Sequence, residues 1–215
     1  MTGIVLIRSG SKSIKDKNVR IINGKPLVYW ILNALQGSKV SKIILSTDSD
    51  KYIEIIKSFE MNKLEIFKRS KLNSQDESSS EEALIELINE LKLEEDIVFC
   101  QATSPLTTSL DINNAIELYK NFDSVLSVVR QKRFIWKENG TPVNYDYNTR
   151  PRRQDYKGYL VENGAIYISN SYSILESKCR ISGKIGLYEM DEETYFEIDE
   201  EKDFLIIQSL MKSSL

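Results

Sequence analysis

Apolar segments typical of buried strands alternate with segments of helical periodicity along most of the chain. The runs at residues 4–7, 42–46, 64–67 and 96–101 read as strands, and each is followed by a polar loop. Because strand, loop and helix recur about every 40 residues, the pattern predicts a mainly parallel sheet with helices on both faces. We therefore predict an α/β fold with three layers, α/β/α, built on a Rossmann-like sheet.

The remaining elements follow from the same two periodicities. Helices are predicted at about residues 26–36, 49–59, 81–91, 111–121 and 200–211, and further strands at 124–129, 164–169 and 184–189. Asp48 is placed to cap the second of these helices. The segment 130–159 shows neither periodicity and is too long for an ordinary connection, which predicts an insertion that contacts substrate or a second subunit.

Composition restricts the chemistry that is open to the chain. Its 215 residues suit one domain, expected to span 1–215, and a net charge of -3 gives no overall attraction for nucleic acid. The sequence contains no histidine, which excludes Ser-His-Asp triads and directs any metal site towards carboxylates and a hard ion such as Mg²⁺. Cys100 lies in an apolar run and is predicted to be buried rather than part of a disulfide. The first apolar run is too short for a signal peptide or a membrane span, so we expect a cytoplasmic enzyme.

Two polar clusters follow strands, where ligands bind in a fold of this kind. Residues 8–18 combine small residues with Arg8, Lys12 and Lys17, a composition suited to phosphate, although a solvated basic loop fits the same pattern. The second cluster begins at Arg69. Its serines are Ser74, Ser78, Ser79 and Ser80. They can bind a nucleoside, and one of them can instead cap the helix that follows.

Three further clusters carry polar chemistry. Residues 101–105, with Gln101 first, end a central strand and face the ligand edge or simply form a turn. Residues 150–155 place three arginines within four positions, which suits a carboxylate, a phosphate, nucleic acid or solvent. Glu197 and Asp199 are predicted on a short strand, where alternation would put both carboxylates on one face, either as Mg²⁺ ligands or as acidic surface.

Taken together and in this order, the clusters resemble those of the N-acylneuraminate cytidylyltransferases. The chain reads IRSGSKSIKDKN at 7–18, STD at 46–48, SQDESSS at 74–80, QATSP at 101–105, DSVLSV at 123–128, RPRRQD at 150–155 and ENGAIYI at 162–168. Ser9 and Ser13 stand where the family usually has glycine, and Lys15 where it has proline. Glu197 replaces the first aspartate of the family's Asp-Ile-Asp motif.

The resemblance implies a nucleotidyltransferase-type fold and a specific reaction. CMP would pass from CTP to the anomeric hydroxyl of a sialic acid-type nonulosonic acid, N-acetylneuraminate above all, with release of pyrophosphate. The nucleotide-binding residues it implies are Arg8, Lys12, Lys17, Asn18, Arg69, Ser78, Ser80 and Gln101. Gln101 and Tyr167 would contact the sugar, Asp199 with Glu197 would ligate Mg²⁺, and Arg150 would be catalytic. The family also implies a homodimer that uses part of 130–159.

Three alternatives stay open from the sequence. The first is a CMP-transferase for a related acid such as legionaminic or pseudaminic acid. The second is a non-catalytic nucleotide-binding regulator, against which the presence of both Arg150 and Asp199 argues. The third is a nucleic-acid-binding protein that uses the arginine cluster, which the pI of about 5.3 disfavours.

Overall fold

The computed structural model describes residues 1–10, 13–70, 73 and 78–213. The strands are β1 (Thr2–Leu6), β2 (Ile21–Ile22), β3 (Lys25–Pro26), β4 (Lys42–Thr47), β5 (Leu64–Lys68), β6 (Asp96–Cys100), β7 (Ser124–Gln131), β8 (Tyr159–Asn170) and β9 (Ile185–Met190). The helices are α1 (Leu27–Gln36), α2 (Asp50–Lys57), α3 (Ser80–Leu91), α4 (Ser109–Tyr119), α5 (Ser171–Ser177) and α6 (Glu201–Ser213).

The main sheet is parallel except around one strand. Within the described residues its order is β5-β4-β1-β6-β8-β7-β9. β1 pairs in parallel with β4 and β6, as do β4 with β5 and β7 with β9, whereas β8 runs antiparallel to β6 and β7. The predicted mainly parallel sheet is confirmed. Its parallel half brings the carboxyl ends of β1, β4, β5 and β6 to one edge, so the loops that follow these strands are neighbours.

Alternating side chains along the strands divide the core between the two faces of the sheet. Ile43 and Leu45 of β4 pack with α1, α2 and α4 on one face. Ile44, between them, packs with α3 and α5 on the other face. The predicted three layers are therefore confirmed.

A third, smaller core lies at one end of the sheet, between α6 and the β2–β3 hairpin. Its buried members are Ile14, Ile22, Leu27, Ile198, Phe204, Ile207 and Met211. Ile14 belongs to the loop after β1, and Ile198 stands between Glu197 and Asp199. This core therefore packs the loop after β1 and the acidic segment, residues 197–199, against a common support.

Several local predictions are corrected by the structure. Ser49, not Asp48, caps α2, because its hydroxyl accepts a hydrogen bond from the backbone N–H of Tyr52 at 3.3 Å. Residues 197–199 do not form the predicted short strand. The backbone N–H of Ile198 donates one hydrogen bond to the carbonyl of Thr103 at 2.9 Å. Helix α5 is missing from the sequence prediction, since its seven residues are too few to show a helical period.

The predicted insertion at 130–159 is slightly shorter in the structure, because β7 and β8 extend into it. Its irregular part covers residues 132–158 and is called the excursion below.

The predicted burial of Cys100 is confirmed. Cys100 is completely buried, which raises the pKa of its thiol, and neither Cys100 nor Cys179 is in a disulfide. In the part of the chain that the structure describes, no helix combines the length and apolar character needed to cross a bilayer.

Candidate active site

A cleft of about 250 Å³ opens at the carboxyl edge of the parallel strands. It is lined by Leu6, Ile7, Arg8, Lys17, Asn18, Arg69, Ser78, Ser80, Phe99, Gln101, Ala102 and Thr103. All the predicted nucleotide-binding residues that the structure describes are in this lining. Lys12 lies outside the described residues.

The loop that follows β1 is fixed by hydrogen bonds from its own residues. The backbone N–H and the hydroxyl of Ser9 donate to the two carboxylate oxygens of Asp48, at 2.9 and 2.7 Å. The buried side-chain amide of Asn18 donates to the carbonyl oxygen of Arg8 at 3.2 Å. These bonds fix the backbone around Arg8, which reduces the ordering cost of binding a ligand there.

The far end of the same loop is anchored on α2. Asp16 has a left-handed φ of 55° and accepts hydrogen bonds from the Lys51 ammonium at 2.8 Å and the Tyr52 hydroxyl at 3.1 Å. The hydrogen bond from Lys51 lowers the pKa of Asp16, while burial and the Asp16 carboxylate raise the pKa of Tyr52. Asp16 therefore stays charged opposite a protonated hydroxyl, and the chain enters the 3-10 turn Lys17–Val19 in a fixed direction.

Lys17 connects the first loop to the acidic segment. Its ammonium donates to the Ile198 carbonyl and to Oδ1 of Asp199, both at 3.0 Å. Its side chain is only 13% exposed, against 62% for Asp199. An ammonium group in this position can neutralise a phosphate oxygen in the cleft and orient the Asp199 carboxylate.

Arg69 supplies a buried guanidinium to the cleft. It is 7% exposed, and its Nε has no hydrogen-bond partner among the described residues. Burial lowers the pKa of the guanidinium, and the charges of Asp48 and Glu86 oppose that shift. Because a buried N–H without an acceptor is costly, Arg69 is well placed to donate to a ligand that enters the cleft.

The hydroxyl groups of the cleft come from the start of α3. Ser79 caps this helix: its hydroxyl accepts from the N–H of Glu82 at 3.1 Å, and its own N–H donates to the Glu82 carboxylate at 2.8 Å. Ser78 and Ser80, on either side of the cap, line the cleft. Ser74 lies outside the described residues.

A bulge in the β7–β8 pairing brings Gln101 and Glu197 to one point beside the cleft. The β7–β8 register shifts between Leu126 and Val128, and Gly164 on β8 has a φ of +70°. A Cβ on Gly164 would lie 3.4 Å from Oε1 of Gln101 and 3.4 Å from Oε2 of Glu197. The bulge thus lets both polar side chains approach the backbone of β8 at the edge of the cleft.

Glu197 and Asp199 form a carboxylate pair in the segment contacted by Lys17. Burial raises the pKa of Glu197, the charge of Asp199 raises it further, and Lys17 opposes both. Two hard oxygen donors whose charges repel one another are suited to Mg²⁺. No group of three or more Asp, Glu or Cys side chains converges in the described residues, so an ion held here would take further ligands from phosphate or water.

Arg150 lies in the excursion rather than at the cleft. Its guanidinium stacks over the ring of Phe134 at 4.4 Å and lies 5.6 Å from the ring centre of Tyr145. The cleft lining contains no described residue of 132–158. Within one chain, the structure does not bring Arg150 to the predicted nucleotide-binding residues.

Tyr167, predicted to contact the sugar, is a core residue within the single chain. Its side chain is almost completely buried, its ring stacks on Phe99 with centroids 5.9 Å apart, and its hydroxyl donates to Glu162. Of the two stacked rings, Phe99 reaches the cleft lining. Tyr167 therefore supports that ring from behind.

The sequence model of the cytidylyltransferase family matches residues 2–212, nearly the whole chain. The chain belongs to the cytidylyltransferase family. It is 36% identical over 215 residues to N-acylneuraminate cytidylyltransferase B of Danio rerio, an alignment that covers 95% of this chain and 50% of the relative. The chain therefore spans about half the length of the first curated relatives that it matches.

Two other matches cover nearly all of both chains. Post-translational flagellin modification protein B of Campylobacter coli is 28% identical over 221 residues, 97% of this chain and 93% of the relative. The structure of CMP:2-keto-3-deoxy-manno-octonic acid synthetase complexed with CTP superposes with a TM-score of 0.71 at 15% identity, covering 100% of this chain and 99% of that one. At that identity the structural likeness shows a shared fold.

Three residues that support this cleft are not among the sequence predictions for it. Phe99 is one of several apolar residues in a buried strand, so its place at the cleft has no signal in the sequence. Arg180 pairs with Glu81, which is 99 positions away along the chain. Asp48 did have a signal, since it directly follows β4 at the ligand edge, but its carboxylate binds Ser9 and not the helix that it precedes.

Proposed function

We propose that the chain transfers CMP from CTP to the anomeric hydroxyl of a sialic acid-type nonulosonic acid, with N-acetylneuraminate as the first candidate. One observation carries the proposal. A single cleft contains all the described residues that the family resemblance identifies as nucleotide-binding. Lys17 connects this cleft to the acidic pair, Glu197 and Asp199, through its hydrogen bond to Asp199. The substrate class is supported by relatives named as N-acylneuraminate cytidylyltransferases.

The cleft offers separate groups for the two halves of CTP. Arg8 and Lys17 would bind oxygen atoms of the triphosphate, since both cations lie on the loop fixed by Ser9 and Asp16. The groups that would contact the base, the ribose or the reacting sugar are Asn18, Arg69, Ser78, Ser80 and Gln101. A buried arginine that shares the cleft with two serine hydroxyls presents a pattern of donors and acceptors that can reject a base that does not match it.

The reaction forms one bond and breaks one at the α-phosphorus. The anomeric oxygen of the sugar acid attacks this phosphorus, the bond to the bridging oxygen breaks, and pyrophosphate leaves with the electron pair while the hydroxyl proton passes to solvent. Negative charge builds on the phosphoryl oxygens, and positioning with charge neutralisation provides most of the catalysis in such transfers. Among the three cations of the described cleft lining, Arg8 and Lys17 are the two that we assign to this charge, whereas Arg69 is assigned to the nucleoside or sugar.

We propose that Asp199 and Glu197 hold Mg²⁺. When bound, the ion would neutralise charge on the phosphate oxygens. The fit rests on the hard oxygen donors. Burial and the charge of Asp199 raise the pKa of Glu197, so a cation bound beside the pair would favour its charged form. Lys17 orients Asp199 by a hydrogen bond, whereas Glu197 has only the weaker, longer-range effect of that cation.

We further propose a homodimer that uses the excursion. Ile135, Trp136, Val143 and Tyr147 of this segment are exposed apolar side chains, which is typical of an interaction surface. Arg150 is the predicted catalytic residue but lies away from the cleft of its own chain. A dimer in which the excursion of one subunit reaches the cleft of the other would reconcile these two observations.

A related acid, such as legionaminic or pseudaminic acid, is the second candidate substrate. It is favoured by the match to the flagellin modification protein of Campylobacter coli, which extends over 93% of that relative, whereas the vertebrate relative is matched over half its length.

We place the enzyme in the cytoplasm, a proposal supported by two free thiols of the kind that a reducing compartment maintains.

The reaction is tested by measuring pyrophosphate release from CTP, UTP, ATP and GTP with Mg²⁺, each with and without N-acetylneuraminate. We expect release from CTP alone, and only when the acid is present. Equal turnover of UTP or ATP would contradict the proposed base selectivity, and binding of CTP without turnover of any acid would favour a regulator. Comparing kcat/KM for N-acetylneuraminate, legionaminic acid and pseudaminic acid decides between the two candidate substrates.

A further inference from the structure

A buried polar network lies behind the acidic pair, and no step of the proposed reaction uses it. Its members are Ser127, Asn163 and Thr194, all nearly inaccessible to solvent. Oδ1 of Asn163 accepts a hydrogen bond from the Ser127 hydroxyl at 2.6 Å. Nδ2 of Asn163 donates to the hydroxyl of Thr194 at 3.1 Å and to its carbonyl at 3.2 Å.

One end of the network shapes the bulge beside the cleft. The Ser127 hydroxyl accepts from the backbone N–H of Ile166 at 2.8 Å, at the position where the β7–β8 register shifts. Asn163 directly precedes Gly164, the residue whose backbone Gln101 and Glu197 approach. The side chain of Asn163 therefore sits at the start of the bulge that brings these two groups together.

The other end of the network anchors the acidic segment. Thr194 lies in the 3-10 turn Glu192–Tyr195, and its hydroxyl also donates to the carbonyl of Asp191 at 2.7 Å. Glu197 follows three residues later. Downstream, the carboxylate of Asp203 accepts from the N–H groups of Asp199 and Glu200 at 2.9 and 2.7 Å, so Thr194 provides the matching upstream anchor.

We propose that Asn163 is a positioning residue that, through Thr194, fixes the acidic segment against the β8 bulge and so sets the affinity of the carboxylate pair for a divalent cation. The inference rests on the proposed function. Groups that orient metal ligands from behind commonly alter metal affinity when removed, because the ligands then sample geometries that do not bind. A buried polar network can also serve stability alone, and the two roles predict different measurements.

The test measures Mn²⁺ binding by electron paramagnetic resonance in the presence of saturating CTP and without sugar acid, so that no turnover is involved. Thr194→Val removes the hydroxyl that accepts from Asn163 and keeps the shape of the side chain, whereas Thr194→Ser keeps the hydroxyl. Asn163→Ala removes the centre of the network. Asn170→Ala is the matched control, since Asn170 is an asparagine on the same strand that bonds Asp96 at 3.0 Å and caps α5.

We expect Thr194→Val and Asn163→Ala to weaken Mn²⁺ binding by roughly three- to tenfold, less than the loss of a ligand's direct partner. Thr194→Ser and Asn170→Ala should bind Mn²⁺ within about twofold of the unsubstituted chain, although Asn170→Ala loses a helix cap and some stability. Unchanged Mn²⁺ affinity in Thr194→Val would overturn the inference and leave the network a purely stabilising role. If the unsubstituted chain with CTP binds no Mn²⁺, or if Asp199→Ala binds it equally well, the proposed metal site fails and the inference fails with it.

Discussion

The side chain of Ser9 helps to fix the loop after β1, at a position where glycine would leave the backbone freer. The family usually has glycine here, yet in this chain both the N–H and the hydroxyl of Ser9 bind Asp48. Serine restricts the backbone and adds a bond to the β4–α2 connection, so residues of the chain itself hold the loop that carries Arg8. The departure from the family pattern is therefore compatible with nucleotide binding.

We expect Ser9→Ala to raise the KM for CTP by about two- to fivefold with little change in kcat, because one hydrogen bond that orders the loop is lost. Ser9→Gly should raise the KM further, since it also restores backbone freedom to the unbound loop. Steady-state kinetics of the two variants separate these effects. A lower KM for either variant would show that the bond to Asp48 holds the loop away from its binding conformation.

The raised pKa of Glu197 leads to a prediction about stability. Its ordinary pKa is 4.5, and because the folded-state value is higher, the folded protein holds this proton more tightly than the unfolded chain does. Ionisation of Glu197 therefore costs stability as the pH rises through the folded-state pKa. Glu197→Gln removes that cost and should raise the metal-free Tm at pH 7 by about 1–4 °C.

At pH 4, below the ordinary pKa of 4.5, Glu197 is mostly protonated in both states, and the same substitution should change the Tm much less. Thermal unfolding from pH 4 to pH 8, with chelator present, provides the measurement, and Glu193→Gln is a control at an exposed glutamate. A Tm difference that does not depend on pH would show that the charge of Glu197 is not the cause.

Helix α3 is the element that brings the serines to the cleft, and Arg180 holds its first turn. Nε and Nη2 of Arg180 donate to the two oxygens of Glu81 at 2.5 and 2.8 Å, which lowers the pKa of Glu81. The guanidinium also lies 4.8 Å from the ring centre of Tyr167 and 5.2 Å from that of Phe99. One arginine therefore ties the start of α3, next to Ser80, to the ring that lines the cleft.

Arg180→Ala should raise the KM for CTP more than it lowers kcat, because it loosens both Ser80 and Phe99 without removing a reacting group. In a double-mutant cycle with Glu81→Gln, we expect a coupling of about 1–3 kcal/mol in the free energy of unfolding. Lys42→Ala is the control: it breaks the Lys42–Glu65 ion pair at the amino edge of the sheet and should leave the KM unchanged. A KM for Arg180→Ala equal to that of the unsubstituted chain would refute this link between α3 and the cleft.

At the scale of elements, the sequence pattern succeeds where a signal is local. Strands, long helices and the loops at the ligand edge are predictable because apolar periodicity and cluster composition are read within a few residues. The bulge at Gly164, the antiparallel run of β8 and the ion pair of Arg180 with Glu81 depend on contacts between distant segments. No local pattern marks such contacts. The burial of Tyr167 also depends on packing between distant segments, so a family motif in the sequence does not reveal it.

At the scale of the whole molecule, the position of Arg150 makes the dimer testable. We expect a homodimer at micromolar concentration by analytical ultracentrifugation, and Trp136→Glu, which places a charge among the exposed apolar side chains of the excursion, should shift it towards monomer. The fold should persist, because the excursion contributes no member of the three buried cores. A chain that remains monomeric at that concentration would contradict the assigned role of the excursion.

Subunit mixing tests whether Arg150 acts across that dimer. Arg150→Ala and Asp199→Ala should each lower kcat by roughly two to four orders of magnitude as homodimers. In a mixed dimer, one cleft carries both substitutions and the other carries neither, if Arg150 serves the partner's cleft. Activity should then return to about a quarter of the unsubstituted level in a random mixture, since half of the dimers are mixed and each has one intact cleft. Absence of recovery, with mixed dimers demonstrated by mass spectrometry, would place Arg150 at its own cleft or outside catalysis.

The central claim is that the anomeric oxygen of a nonulosonic acid becomes the bridge to the α-phosphorus of CTP. The most direct test equilibrates N-acetylneuraminate in ¹⁸O water, which labels the anomeric oxygen, and then follows its reaction with unlabelled CTP and Mg²⁺ by mass spectrometry. We predict a CMP-sugar that carries the label in the bond between sugar and phosphorus, together with unlabelled pyrophosphate. Label in pyrophosphate, a CMP-sugar without label, or no CMP-sugar from any nonulosonic acid would contradict the account.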